Sequence, residues 1–139
     1  MDATERRFLE RQWAHYGEGH RDRLNLALHA ATVPIFWLGT FALALAPKTH
    51  RGWATAGVLG LLLPIVAQGR GHRGEASAPS PFRGPGVFLA RIFAEQWITF
   101  PRYVLTGGFA RAWREAGAER ARAGGPPGRP SRSRARVQP

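Results

Sequence analysis

Polar side chains stand at the start of the first apolar run of this sequence, where apolar residues would be expected. His20 precedes the run, and Asn25 and His29 lie within its first turns. A second polar pair, His72 and Glu75, follows the next apolar run. Imidazole nitrogens and carboxylate oxygens are common ligands of iron, zinc and manganese, and two histidines with one carboxylate are typical of non-haem iron oxygenases. The residue types therefore predict a metal site, provided that the chain brings the two groups together.

Two uncharged segments are the elements that must position these residues. Residues 24–46 and residues 53–69 carry no formal charge over 23 and 17 positions. As helices they would measure roughly 34 Å and roughly 25 Å, close to the thickness of a bilayer core. Pro and Gly in the six residues between them predict a tight turn. The pattern predicts an all-α integral membrane protein built on a two-helix transmembrane hairpin.

A soluble helical bundle with two buried core helices is the alternative fold. A helix at the surface of a globular protein normally keeps a polar stripe. Residues 35–46 and 54–67 have no polar face. The membrane hairpin is therefore the favoured interpretation.

The geometry of such a hairpin predicts that the two polar groups meet. When the helices pack antiparallel around the short turn, His29 lies within roughly 3 Å of the level of His72 along the axis. Asn25 lies next to the level of Glu75, and His20 precedes the first helix at the same membrane edge. Asn25 and His29 also share one helix face, because they are four residues apart.

Each of these residues also has an ordinary structural interpretation. A histidine or an amide in the first turns of a membrane helix can lie at headgroup depth, begin the helix or form an interhelical hydrogen bond. Of the remaining candidates, His50 in the opposite loop is expected in solvent, and His15 is close enough to join the cluster. Glu95 is expected to pair with Arg91 at i, i+4.

The distribution of basic residues predicts the orientation of the hairpin. Basic residues crowd the C-terminal side of the second run, whereas the connecting loop holds only Lys48 and Arg51. By the positive-inside rule, both termini are expected in the cytoplasm. Alanines at residues 42–46 offer a signal-peptidase motif, but the preceding segment is long and charge-balanced and the apolar run exceeds the usual length. Cleavage is therefore not expected.

Amphipathic segments flank the hairpin. Leu9, Trp13 and Tyr16 share one face of an N-terminal helix, which is expected on the membrane surface or against the rest of the protein. Residues 69–86 are rich in Gly and Pro, so they are expected to be mostly loop.

A second amphipathic pattern begins at Val87. Three charged residues within it would each cost about 2.5–3.5 kcal/mol at the bilayer centre, so a third span is not expected. We predict an interfacial helix that breaks near Pro101 and again at Gly107–Gly108, followed by a short polar helix over residues 110–123.

The formal net charge of +11 arises largely from a basic tail. The chain has 20 Lys/Arg and 9 Asp/Glu, and residues 120–139 hold six Arg and no acid. Residues 124–139 are expected to be disordered by composition, so that residues 1–123 form a single helical membrane domain. The tail lacks interleaved aromatic residues, which disfavours nucleic acid as a partner and favours anionic lipid headgroups. With no cysteine, any metal site must use nitrogen and oxygen ligands.

The order and spacing of the polar residues resembles the Mpo-like family over residues 16–79. The positions that carry the resemblance are Tyr16-x3-His20-x4-Asn25-x3-His29-x4-Pro34, then Gln68, Gly71-His72 and Glu75-x3-Pro79. The resemblance implies a membrane-embedded, Fe(II)-dependent dioxygenase that shortens a 2-hydroxy fatty acid by one carbon. It implies His20, His29 and His72 as metal ligands. It also implies Asn25 and Glu75 as catalytic residues that orient the imidazoles or complete the coordination.

Substrate contacts are expected beside these residues. Arg70 and Arg73 are placed to pair with a substrate carboxylate, and Tyr16 is expected to contact the substrate. A non-enzymatic two-span membrane protein with a binding or structural role is the alternative function. In that case the same histidines have no chemical role.

Overall fold

The computed structural model describes residues 3–46, 51–77 and 84–123. Within these ranges the chain is all-helical and contains no strand, which confirms the predicted fold class at that level. The helices are α1 (Ala3–Ala14), α2 (Arg23–Leu45), α3 (Arg51–Gly71), α4 (Pro85–Ala94), α5 (Phe100–Leu105) and α6 (Gly108–Ala123). Short 3₁₀ turns at Tyr16–Gly19 and His72–Gly74 precede α2 and follow α3, and a π-helical turn at Glu95–Thr99 joins α4 to α5. Lys48, His50 and the basic tail lie outside the described residues.

Helix α2 begins at a side-chain cap. The Asp22 carboxylate accepts hydrogen bonds from the backbone N–H groups of Leu24 and Asn25, at 2.8 and 3.1 Å. A helix leaves its first four N–H groups without partners, and an Asp before the first turn satisfies two of them here. The cap sets the N-terminal end of α2, and with it the height of Asn25 and His29.

Helices α2 and α3 form the antiparallel hairpin, and small residues bring their backbones together. A Cβ added at Gly39 would lie 2.6 Å from the backbone of Gly60, and one at Gly57 would lie 2.6 Å from Leu43. Side chains larger than hydrogen therefore do not fit at this crossing. Small residues at helix contacts are typical of membrane proteins, where close packing supplies much of the attraction between helices.

Helix α2 and the segment Gly52–Gly74 are each long and apolar enough to cross a membrane. Large apolar side chains point away from the protein along both helices, with Leu38 69% exposed and Leu63 61% exposed. Soluble monomeric proteins rarely expose extended apolar surfaces of this kind. The side of the membrane on which the termini lie stays a prediction.

Helix α3 extends further than the sequence predicts. Residues 69–86 were expected to be mostly loop, but α3 continues to Gly71 and is followed directly by the 3₁₀ turn that carries His72. Gly71 packs against Asn25 so closely that a Cβ there would lie 2.6 Å from Oδ1 of that residue. Packing against α2 therefore overrides the weak helix propensity of the glycines.

The segment after Gly84 also departs from the prediction, because the helix does not break near Pro101. It passes from α4 through the π-helical turn into α5, with Pro101 in the first turn of α5. The backbone N–H of Phe100 donates to the Glu95 carbonyl five residues earlier. Pro101 has no N–H for the next such bond, and the Gln96 carbonyl instead accepts a hydrogen bond from the indole of Trp37 at 2.9 Å. The predicted break at Gly107–Gly108 is present, since Gly107 has a φ of 76° and α6 begins at the next residue.

Helix α6 packs against α2, and α1 packs against the π-helical turn that follows α4. Helix α1 packs against the protein through Trp13, whose ring contacts Tyr103 edge-on at 6.5 Å between centroids. It ends at Ala14, so Tyr16 lies in the 3₁₀ turn that follows and not on the predicted helical face. The guanidinium of Arg102 lies over the Trp13 ring, 4.1 Å from its centroid.

Candidate metal centre

His20 and His29 are oriented by the backbone carbonyls that lie four residues before them. Nδ1 of His20 donates to the Tyr16 carbonyl at 2.7 Å, and Nδ1 of His29 donates to the Asn25 carbonyl at 3.0 Å. A carbonyl can only accept, so both imidazoles carry a proton on Nδ1. This fixes the ring orientation and leaves both Nε2 atoms directed at a common centre, which is how protein histidines are usually prepared to bind a metal.

Four side chains meet at this centre. They are His20, His29, His72 and Glu95, referred to below as the His–Glu cluster, and their potential ligand atoms all lie within 4.8 Å of one another. Nε2 of His29 lies 3.1 Å from Oε1 of Glu95, and Nε2 of His20 lies 3.5 Å from the same oxygen. The ring centroids of His72 and the other two imidazoles are 5.0 and 5.1 Å apart.

The convergence of three histidines follows the hairpin geometry. His29 comes from the second turn of α2, His72 from the 3₁₀ turn after α3, and His20 from the segment before α2. The meeting of these imidazoles at one edge of the hairpin is the arrangement that the sequence predicts. Their role as metal ligands stays a prediction.

Glu95 is the member of the cluster that sequence reasoning missed. It was expected to pair with Arg91, but its carboxylate faces the imidazoles from the first residue of the π-helical turn. π-helical turns inside α-helices occur frequently at functional sites. The available signal was an acidic residue within a strongly apolar helical pattern, which needs a partner when it is buried.

The electrostatics of Glu95 suit a ligand. Burial by itself raises the pKa of the Glu95 carboxyl, but hydrogen bonds from His20 and His29 and the charge on these imidazoles lower it by more. The net pKa lies well below the ordinary value of a glutamate. Glu95 is therefore held as an anion, which is the form that binds a metal ion.

Glu75 and Asn25 hold the loop that carries His20. The Glu75 carboxylate accepts from the backbone N–H groups of Arg21 and Asp22 at 3.0 Å, and from Nδ2 of Asn25 at 2.8 Å. Nδ2 of Asn25 also donates to the Gly19 carbonyl at 3.0 Å. The structure thus brings Glu95, and not Glu75, into the group of potential ligands, while Glu75 fixes the chain on either side of the first histidine. A catalytic role for Asn25 and Glu75 stays a prediction.

Tyr16 contacts two members of the His–Glu cluster. Its ring stacks on the His20 ring with centroids 3.9 Å apart, and its hydroxyl donates to Oε1 of Glu95 at 3.3 Å. Burial raises the pKa of the Tyr16 phenol well above its ordinary value, and the negative charge of Glu95 raises it further. Tyr16 is thus a neutral donor that orients the carboxylate. The predicted contact of Tyr16 with a substrate stays a prediction.

The remaining candidates lie outside the cluster. Arg70 and Arg73 are exposed at the end of α3, on either side of His72 in the chain, and their predicted pairing with a substrate carboxylate stays a prediction. His15, whose side chain is 78% exposed, lies 3.5 Å from the Glu18 carboxylate and does not join the cluster.

The arrangement fits a single metal ion. Bonds of roughly 2.0–2.2 Å from imidazole nitrogen and carboxylate oxygen place neighbouring ligand atoms roughly 3–4 Å apart. The separations between Glu95 and the imidazoles of His20 and His29 fall in this range, and the widest separation in the group, up to 4.8 Å, requires a small closure. The His–Glu cluster could therefore hold a metal ion through three nitrogen atoms and one oxygen atom.

The fold and the site together define an all-helical protein with two candidate membrane-spanning helices and a buried His–Glu cluster that could bind a metal. Comparison of the chain with models of known protein families, with curated proteins and with solved structures found no match. The function is therefore argued from the chemistry of the site.

Proposed function

We propose that this protein is a membrane-embedded oxygenase that binds Fe(II) at the His–Glu cluster and acts on a 2-hydroxy fatty acid or a related lipid. One observation carries the metal. The Nδ1–H groups of His20 and His29 are committed to backbone carbonyls, and their Nε2 atoms lie 3.5 and 3.1 Å from one oxygen of the buried Glu95 carboxylate. Two ring nitrogens and a carboxylate oxygen this close require positive charge between them, supplied either by protons on the imidazoles or by a metal ion. A metal ion satisfies all three at once.

The donor set favours iron over a structural zinc ion. A structural zinc site is closed by four protein ligands in a tetrahedron, and most such sites contain cysteine. Three histidines and one carboxylate bound to an octahedral ion leave two positions for other ligands, which is the property that non-haem iron oxygenases require. Iron, when bound, would supply the activation of dioxygen.

The location of the cluster suits an amphiphilic substrate. His29 lies in the second turn of α2 and His72 at the end of the second candidate span, so the cluster is expected near headgroup depth. There the polar end of a fatty acid can reach the cluster while its alkyl chain stays among the lipid tails. The exposed guanidinium groups of Arg70 and Arg73 are available to a carboxylate at this edge.

The proposed reaction balances without a further cofactor. A 2-hydroxy acid and one dioxygen give the acid one carbon shorter, carbon dioxide and water, so that the substrate loses four electrons and dioxygen gains four. The bond that breaks joins the carboxyl carbon to the hydroxylated carbon. Tyr16 and Asn25 would hold Glu95 and the loop of His20 in place during turnover.

Metal analysis of the detergent-purified protein tests the metal, with His29→Ala, His72→Ala and Glu95→Ala as variants. We expect about one iron per chain in the parent protein and a large loss in each variant, because each removes a ligand. His15→Ala is the matched control, since His15 is exposed and outside the cluster. Full metal content in all three variants would refute the site.

Oxygen consumption tests the activity separately. Protein loaded anaerobically with Fe(II) should consume dioxygen and release one carbon dioxide per 2-hydroxy fatty acid, with the 3-hydroxy isomer as the control substrate. Iron binding without any turnover would leave the metal site standing and favour the alternative, a non-enzymatic membrane protein with a binding or structural role.

A further inference from the structure

A second polar site lies behind the aromatic residues that back the His–Glu cluster. Tyr103 packs edge-on against Tyr16 with ring centroids 5.2 Å apart, and Tyr16 in turn stacks on His20. Beyond Tyr103, an open cleft of about 270 Å³ separates the 3₁₀ turn Tyr16–Gly19 from the first turns of α6. The cleft and the cluster are therefore distinct sites separated by a layer of aromatic rings.

The cleft is lined by charges of both signs. Two cations, Arg21 and Arg111, and two anions, Glu18 and Glu115, contribute to its walls. Arg111 and Glu115 are four residues apart on α6, so they share one helix face. Two arginines and two glutamates in one lining make the cleft complementary to a small ligand that carries a positive and a negative charge, and the Glu18 carboxylate has one further neighbour, the exposed imidazole of His15 at 3.5 Å.

The cleft lies at the end of α2 that is expected at the membrane surface. Arg23, the first residue of α2, donates from Nε to the Trp113 carbonyl at 3.3 Å, and its guanidinium lies 5.0 Å from the centroid of the Trp113 ring. This contact ties α6 to the start of a candidate span. Trp and Arg are favoured at headgroup depth because each joins an apolar body to a polar end.

We propose that this cleft binds the phosphoethanolamine headgroup of a zwitterionic lipid. Arg21 and Arg111 pair with the phosphate oxygens, for which the planar guanidinium is well suited. Glu18 and Glu115 accept hydrogen bonds from the primary ammonium group. A choline headgroup has no N–H to donate, and a glycerol headgroup has no cation, so the mixed lining selects against both. The binding needs no metal and does not rest on the proposed oxygenase activity.

Binding of short-chain lipids to the full-length, metal-free protein in detergent tests this site. Isothermal titration with dihexanoyl phosphatidylethanolamine should show saturable binding, at least roughly tenfold tighter than with the phosphatidylcholine or phosphatidylglycerol of the same chain length. Arg111→Gln and Glu115→Gln should each weaken that binding roughly tenfold, because each removes a charge-assisted hydrogen bond. Arg114→Gln and Glu119→Gln are matched controls, since both residues are exposed on α6 and lie outside the lining of the cleft.

Two sources of the ligand are separated by competition. Free phosphoethanolamine and inorganic phosphate should displace the lipid only at much higher concentration, because they lack the acyl chains that insert beside α2. Displacement by phosphoethanolamine at equal concentration would overturn the lipid as the source and assign the cleft to a soluble phosphoamine. Equal affinity for the three lipids, or unchanged affinity in Arg111→Gln and Glu115→Gln with native helix content, would overturn the proposal.

Discussion

Two carboxylates of the same residue type have different roles in this protein because their surroundings differ. Glu75 accepts from three N–H donors, two on the backbone and one on Asn25, so it anchors the chain around His20. Glu95 faces the imidazoles and the hydroxyl of Tyr16 instead. A carboxylate that is already surrounded by donors has little left to offer a cation, whereas the Glu95 carboxylate faces ring nitrogens that can share a metal ion with it.

Substitution of the two glutamates by glutamine should therefore affect metal binding unequally. Glu95→Gln removes the charged ligand, and we expect more than a hundredfold loss of affinity for Fe(II) or Co(II). Glu75→Gln keeps the ligands and loosens only the loop that holds His20, so the loss should be on the order of 10- to 100-fold. Anaerobic titration calorimetry of both variants measures the difference. A larger loss of affinity in Glu75→Gln would show that Glu75, and not Glu95, is the metal ligand.

At the scale of elements, the site depends on a close helix crossing and on an irregular helix. His29 and His72 belong to different arms of the hairpin, so the distance between them depends on how closely α2 and α3 approach, at Gly39 and Gly60 and at Gly71. Glu95 belongs to a third helical segment, formed by α4, the π-helical turn and α5. Gln96 joins this segment to the hairpin. Its side chain exchanges two hydrogen bonds with Gln68 at 2.6 and 3.1 Å.

Gly39→Val tests the crossing. Its side chain would meet the backbone of Gly60, so the free energy of unfolding should fall by about 1–3 kcal/mol, and metal affinity should fall with it because the arms separate. Gly69→Ala is the control, since a Cβ at Gly69 meets nothing within 4 Å and alanine favours the helix. Thermal unfolding in detergent and metal titration measure both effects. Unchanged stability and affinity in Gly39→Val would show that the close crossing does not set the site.

At the scale of the whole molecule, exposed apolar side chains and basic residues lie in different parts of the chain. The large exposed apolar side chains of α2 and α3 fit contact with lipid tails, while basic residues dominate the sequence after α3. The His–Glu cluster and the charged cleft both lie at the end of the hairpin where α2 begins. If the hairpin spans the membrane as the charge distribution predicts, both sites lie on the cytoplasmic side.

Single cysteines test this topology in a chain that has no cysteine of its own. Cysteine at Ser77, beyond the second span, should be protected from an impermeant thiol reagent in intact cells, and cysteine at Thr49 in the connecting loop should be labelled. Permeabilised cells provide the control, because both positions should then react. Equal labelling in intact cells would rule out the transmembrane hairpin.

The amino-acid sequence by itself determined the helical class, the hairpin and the meeting of three histidines. Two long apolar runs joined by a short turn can pack only as neighbours, so the level of His29 on one arm sets which residues of the other arm it meets. His20 is carried along because only two residues separate it from the first residue of α2. Local periodicity and chain connectivity were sufficient for these features.

Only the tertiary structure decided that Glu95, and not Glu75, faces the imidazoles. The segment between His72 and α4 is rich in Gly and Pro, so connectivity places no constraint on the height or rotation of the third helical segment. Its position comes instead from the Gln96–Gln68 pair, the Trp37 indole and the π-helical turn, which arise from long-range packing. The extension of α3 to Gly71 has the same origin, because the contact with Asn25 exists only once the arms have come together.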